Sequence, residues 1–195
     1  MTILGIDLSM ASTGICLYDS DKNSTEYFII GSKFPKKILE QKLPDNLHLL
    51  IYDKQKSDKS DSYQSKEKHK SINIYNILQH IKQIIVNHPV DAVCIEGISF
   101  GSRGSVIDLA GLNYVVRMLA ICEGIDYLII ASPTQNKKFA TGNGSADKDQ
   151  MISAWEKIDS SLSKIPDSLK IDDLADAYFL ARYGVFYINS LAEKQ

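Results

Sequence analysis

The sequence has few cysteines and no long apolar run, and both features limit the classes of protein to which it can belong. The three cysteines, Cys16, Cys94 and Cys122, show no CxxC spacing, so neither a disulfide framework nor a zinc site is expected. We interpret them as reduced core residues of a cytosolic protein. No run of about eighteen apolar residues is available to span a membrane. The start, MTILGIDLS, lacks the basic and long apolar regions of a secretory signal.

A surplus of positive charge is also missing. The formal net charge is −2, whereas proteins that bind nucleic acid often carry a basic excess. The overall charge therefore does not indicate a nucleic-acid partner. The charge is unevenly spread, however, because residues 31–70 contain ten lysines and six acids and the last third is acidic. A local basic surface is compatible with this distribution.

The order of apolar segments predicts an α/β fold. Three short strands, TILGIDLS, TGICLYDS and STEYFIIGS, are separated by tight turns and predict an antiparallel meander. After Ser71, strand and helix patterns alternate, which implies right-handed parallel crossovers. We predict a single domain over residues 1–195, with a five-stranded mixed sheet of three antiparallel strands plus parallel strands and helices on both faces. We predict that one helix ends before Pro89 and another at Gly124, and that Ser132 and Ser145 cap the starts of two more. A last helix is predicted from about Asp172 toward Tyr187.

Residues 33–70 differ from the rest in composition. The stretch KQKSDKSDSYQSKEKHK is rich in lysine, serine and aspartate and has almost nothing to bury. This composition is typical of a solvated or disordered loop. The alternative is a mobile basic arm that contacts phosphates. In the same region, ILEQKLPDNLHLLIY has enough apolar residues to pack locally.

Acidic residues occupy three places where the pattern is otherwise apolar. Asp7 lies in the first strand, and Glu96 ends the fourth. Asp173 and Asp176 are three residues apart and share a face of the last helix. If the first and fourth strands are neighbours and the last helix packs across the sheet, these carboxylates meet. Like charges at one half-buried point repel and raise each other's pKa unless a cation lies between them.

Divalent cations would supply that positive charge. Magnesium takes oxygen ligands, keeps several waters and typically uses carboxylates together with substrate phosphates. Two such ions about 4 Å apart activate a water and stabilise the leaving oxygen in phosphodiester cleavage. We therefore predict a site for two Mg²⁺ ions, with Mn²⁺ as a substitute, at Asp7, Glu96, Asp173 and Asp176.

Each acid taken alone also has an ordinary structural explanation. Asp7 could be a strand-end cap or a turn residue, and Asp173 could interact with the dipole at the start of a helix. Glu96 is harder to explain, because an ionised glutamate at the end of a buried strand needs a partner. Asp176 lies further into its helix than the dipole reaches. The combination favours a metal site.

Four segments carry a family resemblance. They are GIDLSMASTG at 5–14, CIEGISFGSRG at 94–104, TGNGSADKDQ at 141–150 and DDLADA at 172–177. On these segments the chain resembles the RuvC-type Holliday-junction resolvases of the RNase H-like superfamily, particularly those of bacteriophages. The resemblance covers most of the chain except about 33–70, where this protein carries a lysine-rich insertion relative to cellular members.

The resemblance implies an RNase H-like fold and a homodimeric endonuclease of DNA recombination and repair. Such an enzyme nicks two strands of a four-way junction symmetrically, and it would work in the bacterial cytoplasm, or in the host cytoplasm if it is phage-encoded. The family's metal-binding acids fall on the four acids named above. Family lysines fall on Lys137 and Lys148, both able to contact phosphate, and Lys148 joins the acids as a catalytic residue. A solvated helix surface is the ordinary alternative for each lysine.

One departure from the family concerns DNA stacking. Cellular members carry a base-stacking aromatic residue three positions after the glutamate, where this chain has Ser99 followed by Phe100. Phe100 could stack on a base or belong to the core, so the sequence preference at the cut is open. Arg103 lies between glycines and could reach a phosphate. The apolar helix over about 105–123 could face the sheet, and by resemblance it would also supply a dimer face.

Three other functions are compatible with parts of the sequence. GIDLSMASTG also resembles the first phosphate-binding turn of the actin and sugar-kinase ATPases, but that fold needs two such domains and a greater length. A nuclease on the same scaffold could cut flaps, forks or other branched DNA instead of four-way junctions. A non-catalytic binder of junctions would have no need of four carboxylates that repel phosphate.

Overall fold

The computed structural model describes residues 1–98, 106–159, 165, 169 and 171–194. Its strands are β1 (Thr2–Asp7), β2 (Ser12–Asp19), β3 (Ser24–Gly31), β4 (Leu47–Ile51), β5 (Ala92–Glu96) and β6 (Tyr127–Ala131). Its helices are α1 (Lys36–Leu39), α2 (Tyr63–Asn87), α3 (Val106–Cys122), α4 (Pro133–Thr141), α5 (Lys148–Glu156) and α6 (Ile171–Ala192). This alternation of strands and helices is that of an α/β fold, as predicted.

The strands form one mixed sheet with the order β4-β3-β2-β1-β5-β6. The first three strands are antiparallel neighbours, as the short turns between them predict. The other three each pair in parallel with a neighbour. Five strands therefore run in one direction, and only β2 opposes them. Their carboxyl ends lie at one edge of the sheet, which we call the carboxyl edge; it carries Asp7, Gly31, Ile51, Glu96 and Ala131.

The prediction of five strands is wrong by one, because β4 was not recognised. β4 pairs with β3 from Leu47 opposite Tyr27 to Ile51 opposite Gly31. The segment 33–70 is therefore not a continuous loop. It contains α1, β4 and the first two turns of α2, a helix that begins well before the predicted Ser71.

Side-chain caps explain where three helices begin. Ser62 accepts a hydrogen bond from the Ser65 N–H at the start of α2. Ser132 forms a capping box at the start of α4, followed by Pro133, as predicted. The cap of α5 is Asp147 and not the predicted Ser145, because the Asp147 carboxylate accepts from the N–H of Gln150.

Two apolar clusters cover the two faces of the sheet, which confirms helices on both sides. One cluster packs α6 and α5 against β1, β2 and β3, with Trp155 fully buried in it. The other packs α2 and α3 against the opposite face, through residues such as Ile81 and Val116. None of the described helices has both the length and the apolarity needed to cross a membrane.

The cysteines are all unpaired, but only two lie in the core. Cys16 and Cys94 are buried in the cluster beneath α6, as predicted. Cys122 is exposed, which corrects the prediction that it is a core residue. It is the last residue of α3, and it lies away from the stripe formed by Leu112, Val116 and Leu119 that faces the sheet.

Candidate active site

Asp7 and Glu96 end two neighbouring parallel strands. Ile6 lies opposite Ile95 in the β1–β5 pair, so the next residue of each strand is one of the two acids. The strands of such a pair are about 4.8 Å apart. Side chains two residues apart share a face of a strand, and Cys94 belongs to the cluster beneath α6. The two carboxylates therefore leave the sheet side by side, on the face that α6 covers.

Two glycines bring α6 close to this point. A Cβ atom on Gly5 would lie 2.1 Å from the carbonyl oxygen of Ala177, and one on Gly14 would lie 2.3 Å from that of Asp173. Gly14 is also opposite Asp7 in the β1–β2 pair. The first turn of α6 thus lies directly on the sheet beside Asp7. Asp173 is only 8% exposed as a result, and Asp176 follows on the same side of the helix.

The carboxylates raise one another's pKa. Burial raises the pKa of Asp7 well above its usual range, and the charges of Asp176, Glu96 and Asp173 add to the effect. Burial and the charge of Asp176 raise the pKa of Glu96 to about 7. Burial also raises the pKa of Asp176 to about 6, against the opposing charge of Lys137. Charges act this strongly only over short distances, so the acids from β1, β5 and α6 share one site.

Both lysines singled out from the sequence lie beside these acids. Lys137, on α4, lowers the pKa of Glu96 and that of Asp176 through its positive charge. Lys148, the first residue of α5, donates a hydrogen bond to the carboxylate of Asp172. This bond raises the pKa of Lys148, and the charges of Asp173 and Asp176 act in the same direction. The catalytic and DNA-contacting roles of the two lysines stay predictions.

Two buried asparagines hold the backbone of the acids. Asn113 of α3 is 2% exposed, and its Nδ2 donates to the carbonyl oxygen of Glu96 at 2.9 Å. Asn136 of α4 is fully buried, and its Nδ2 donates to the carbonyl oxygen of Asp176 at 3.3 Å. A buried amide is costly unless it is hydrogen-bonded. These residues therefore tie the helices on both faces of the sheet to the two acids.

The donor chemistry of the site fits a hard divalent cation. Its acids are partly or fully buried, they offer oxygen ligands only, and a cation would relieve the repulsion that raises their pKa. Within the described residues, no three side chains of the ligating types already surround a common point.

Three predicted DNA-contacting residues lie outside the described part of the chain. They are Ser99, Phe100 and Arg103, all between the end of β5 and the start of α3. Asp172, Asn113 and Asn136 belong to the surroundings of the site but were not predicted from the sequence. Asp172 stands next to a predicted ligand, so its charge was a usable signal. Nothing in the sequence shows that a buried asparagine binds the backbone of a distant strand.

Comparison with known proteins gives consistent matches. A family model described as crossover junction endodeoxyribonuclease RuvC matches residues 59–182. A protein of Sulfurovum sp. (strain NBC37-1), named crossover junction endodeoxyribonuclease RuvC, is 33% identical over 109 residues, which are 55% of this chain and 65% of that protein. The match thus spans less than two thirds of the relative. The family match includes Glu96 and the first half of α6, with Asp173 and Asp176, but not Asp7, whose place in the site rests on the strand pairing.

Two solved structures of RuvC from Thermus thermophilus share the fold. One matches with a TM-score of 0.61 and 16% identity, over 97% of this chain and 96% of the other. The second, described as a complex with Holliday junction substrate, matches with a TM-score of 0.57 and 16% identity, over 96% and 94% of the two chains. At this identity the likeness establishes the fold and not the substrate.

Proposed function

Because the chain belongs to the crossover junction endodeoxyribonuclease RuvC family, we propose that it is a divalent-metal-dependent endonuclease that resolves four-way DNA junctions by paired, symmetric nicks. The observation that carries this proposal is the meeting of Asp7, Glu96 and the first turn of α6 at the carboxyl edge. Partly buried acids that raise one another's pKa are typical of catalytic sites. The 33% identical relative, which is named crossover junction endodeoxyribonuclease RuvC, supports the choice of substrate.

Asp7, Glu96, Asp173 and Asp176 would hold the ions, which we propose to be two Mg²⁺, with Mn²⁺ able to replace them. The chemistry that such ions supply is activation of a water for attack on the phosphodiester and stabilisation of the leaving oxygen. The chain itself fixes the acids in place, because both strand ends are paired in the sheet and α6 packs directly against Gly5 and Gly14.

Positive groups would then position the DNA strand over the acids. Lys137 and Lys148 lie at the rim of the carboxylates, where each could bind a phosphate oxygen near the cut. Lys148 would exchange its bond with Asp172 for one with the substrate, and we assign it a catalytic role. Arg103 and Phe100 remain proposed DNA contacts, a phosphate contact and a base-stacking contact respectively, and Ser99 is proposed beside them.

Paired nicks need two active sites related by a twofold axis, and α3 offers a surface for such a homodimer. Four large apolar side chains on this helix are strongly exposed, at 85%, 59%, 56% and 59%. Their spacing places them on one stripe of the helix, opposite the face that packs on the sheet. They are Ile107, Tyr114, Met118 and Ile121.

Cleavage of a panel of labelled DNAs tests the proposed substrate. The panel contains a four-way junction, a flap, a fork and a linear duplex of shared sequence, each with Mg²⁺ or Mn²⁺. We expect paired nicks at symmetric positions of the junction and little cutting of the others. Equal cutting of flaps and forks would instead favour the broader branched-DNA nuclease. Binding of junctions without any cutting would favour a non-catalytic junction protein. An enzyme of this kind would act in a bacterial or phage-infected cytoplasm.

A further inference from the structure

A lysine-rich segment lies at the same edge of the sheet as the acids. We call residues 54–70 the lysine arm; it comprises the connection after β4 and the first two turns of α2. β4 runs parallel to β3, which opposes β2, which in turn opposes β1. β4 therefore ends at the carboxyl edge, so the lysine arm begins at the same edge of the sheet as the acids; the acids lie on the face covered by α6, and α2 packs on the other face.

The strand register gives the distance between the acids and β4, the strand after which the lysine arm starts. Asp7 lies opposite Gly14, Gly14 opposite Ile29, and Ile29 opposite Leu49. Asp7 is thus level with Leu49, three strand spacings away, or about 14 Å. Such a distance corresponds to about four base pairs along a DNA duplex. A duplex whose backbone lies on the acids can therefore also reach the start of the lysine arm.

Hydrogen bonds fix the root of the arm to the body of the protein. The hydroxyl of Tyr52 donates to the carbonyl oxygen of Met10, in the loop that follows Asp7, at 3.2 Å. The buried amide of Asn73 accepts from the N–H of Gln55 at 2.8 Å and donates to its carbonyl oxygen at 3.0 Å. The root is therefore held in one position relative to the loop beside the acids.

The start of α2 extends past its neighbour α3 on the carboxyl side. Lys70 forms an ion pair with Asp108, near the start of α3, at 3.6 Å. Tyr63, the first residue of α2, precedes Lys70 by seven positions, which is about 10 Å of helix. The first two turns of α2 therefore extend about 10 Å beyond the Lys70–Asp108 pair, toward the carboxyl side.

The acids and the lysines of the arm differ in whether they have a local partner. Its acids serve the local turn: Asp58 accepts from the N–H and the hydroxyl of Ser60, and Asp61 accepts from the N–H of Asp58. Of its six lysines, Lys66 donates to the carbonyl oxygen of Lys59, and Lys70 pairs with Glu67 and Asp108. Four of them are exposed and form no ion pair with any residue that the structure describes: Lys54, Lys56, Lys59 and Lys68.

We propose that the lysine arm is a second DNA-binding surface, which binds the phosphate backbone of a duplex arm about four base pairs from the cut. This inference rests on the proposed function, since it takes the acids to mark where the DNA lies. The partner fits by charge: a phosphate backbone is the ligand for a row of unpaired, projecting lysines. The fixed root of the arm keeps its distance from the acids constant.

The salt dependence of junction binding tests the arm. A triple variant, Lys54→Gln/Lys56→Gln/Lys59→Gln, is compared with wild type on a four-way junction without divalent ions. The slope of log K against log salt is negative, and each lost phosphate contact lowers its magnitude by about 0.9, so we expect the magnitude of the slope to fall by about 2 to 3. The triple Lys→Arg variant at the same positions should restore the wild-type slope. Its behaviour separates the loss of charge from damage to the fold.

A charge-matched control removes three lysines far from the carboxyl edge. Lys22 is in the turn after β2, Lys82 is near the end of α2 and paired with Glu123, and Lys194 follows α6. Changing these three to glutamine should leave the slope and the cleavage rate at wild-type values. An equal fall in the control would overturn the proposal that the lysine arm binds DNA, because net charge alone would then explain the smaller slope.

The remaining outcomes separate the arm from the proposed function. One outcome is an unchanged slope in the Lys54, Lys56 and Lys59 triple variant while wild type still cuts junctions. This outcome overturns only the proposal that the lysine arm binds DNA. A fallen slope in a protein that cuts no DNA keeps the arm as a DNA-binding surface and overturns the proposed nuclease. Wild type that binds no junction at all overturns both.

Discussion

Gly14 lies directly beneath Asp173: a Cβ atom at this glycine would come within 2.3 Å of the aspartate's carbonyl oxygen. Gly14 also faces Asp7 across the β1–β2 pair. One position without a side chain therefore sets the distance between a strand acid and a helix acid. The site depends on this approach as much as on the acids themselves.

Gly14→Ala should separate Asp173 from Asp7. The added methyl group has backbone on its far side and cannot be accommodated without shifting α6, which costs about 1–3 kcal/mol of stability. A misplaced ligand should slow junction cleavage by about 100-fold. Single-turnover cleavage and thermal unfolding measure the two effects.

Gly111→Ala is the matched control for this change. Among the described residues, a Cβ atom at Gly111, within α3, meets Ile74 Cδ1 alone, at an ordinary 3.6 Å. Alanine is also the better helix former, by about 1 kcal/mol. We expect this control to be at least as stable as wild type and fully active. Equal activity of the two alanine variants would contradict the role given to Gly14.

The raised pKa values predict how the metal-free protein responds to pH. The pKa of Glu96 is raised to about 7 and that of Asp176 to about 6, chiefly by burial. A carboxyl whose pKa is raised by folding stabilises the fold below its unfolded pKa, and this contribution is lost as the pH rises through the folded pKa. Stability of the chelated protein should therefore fall between about pH 4 and about pH 7, by a few kcal/mol.

Thermal unfolding with a chelator and with Mg²⁺ checks this pH dependence. Mg²⁺ should raise the unfolding temperature more at about pH 8 than at about pH 5, since protons compete for the ligands. Asp7→Asn removes one of the repelling charges, so it should flatten the pH dependence in the chelated state. A chelated wild type that becomes more stable over this interval would refute the convergence of the acids.

Asn113 should act on metal binding through Glu96. Asn113→Ala removes the donor to the Glu96 carbonyl oxygen, so the glutamate loses a constraint on its position. Loss of such an outer partner costs about tenfold in metal affinity. We expect cleavage to need about tenfold more Mg²⁺ for half of its maximal rate and to recover in part at saturating Mg²⁺.

A distant asparagine serves as the control for Asn113. Asn189 is exposed on α6, and Asn189→Ala should leave the Mg²⁺ requirement unchanged. If Asn113→Ala lowers the rate at every Mg²⁺ concentration by one factor, the residue does not act through metal binding.

The apolar stripe of α3 predicts the oligomeric state. Met118→Glu places a charge at the centre of the stripe, and sedimentation should show monomer where wild type is a dimer. Val86→Glu on α2 is the control, because Val86 is 60% exposed and Met118 is 56% exposed. A monomeric variant should produce single, unpaired nicks. A dimer that survives Met118→Glu would place the interface elsewhere.

The strand acids could be predicted from the sequence, because each ends a short apolar run and polar residues there are uncommon. The alternation of strands and helices predicted parallel pairing, but the pairing of β1 with β5 was only a condition of the predicted site. β4 was not predicted because it has only five residues, Leu47–Ile51, between a four-residue helix and a lysine-rich stretch. Its only signal was a short apolar run, which also fits a packed loop.

The start of α2 could not be predicted from periodicity. Tyr63 to Lys70 has no apolar stripe, since these turns project from the sheet and have nothing to bury. Ser62 was a usable cap signal. The contacts of Asn113 and Asn136 could not be predicted for another reason. Their partners are backbone carbonyl oxygens of other elements, which every residue has, so the sequence does not show which carbonyl is bound.

The central claim is that carboxylates from β1, β5 and α6 jointly hold a metal ion that cuts DNA. The most direct measurement compares wild type and Asp7→Asn on one four-way junction, recording binding without divalent ions and single-turnover cleavage with Mg²⁺. We predict that Asp7→Asn binds the junction as tightly as wild type and does not cut it. Cleavage by Asp7→Asn at a rate near that of wild type would contradict the claim.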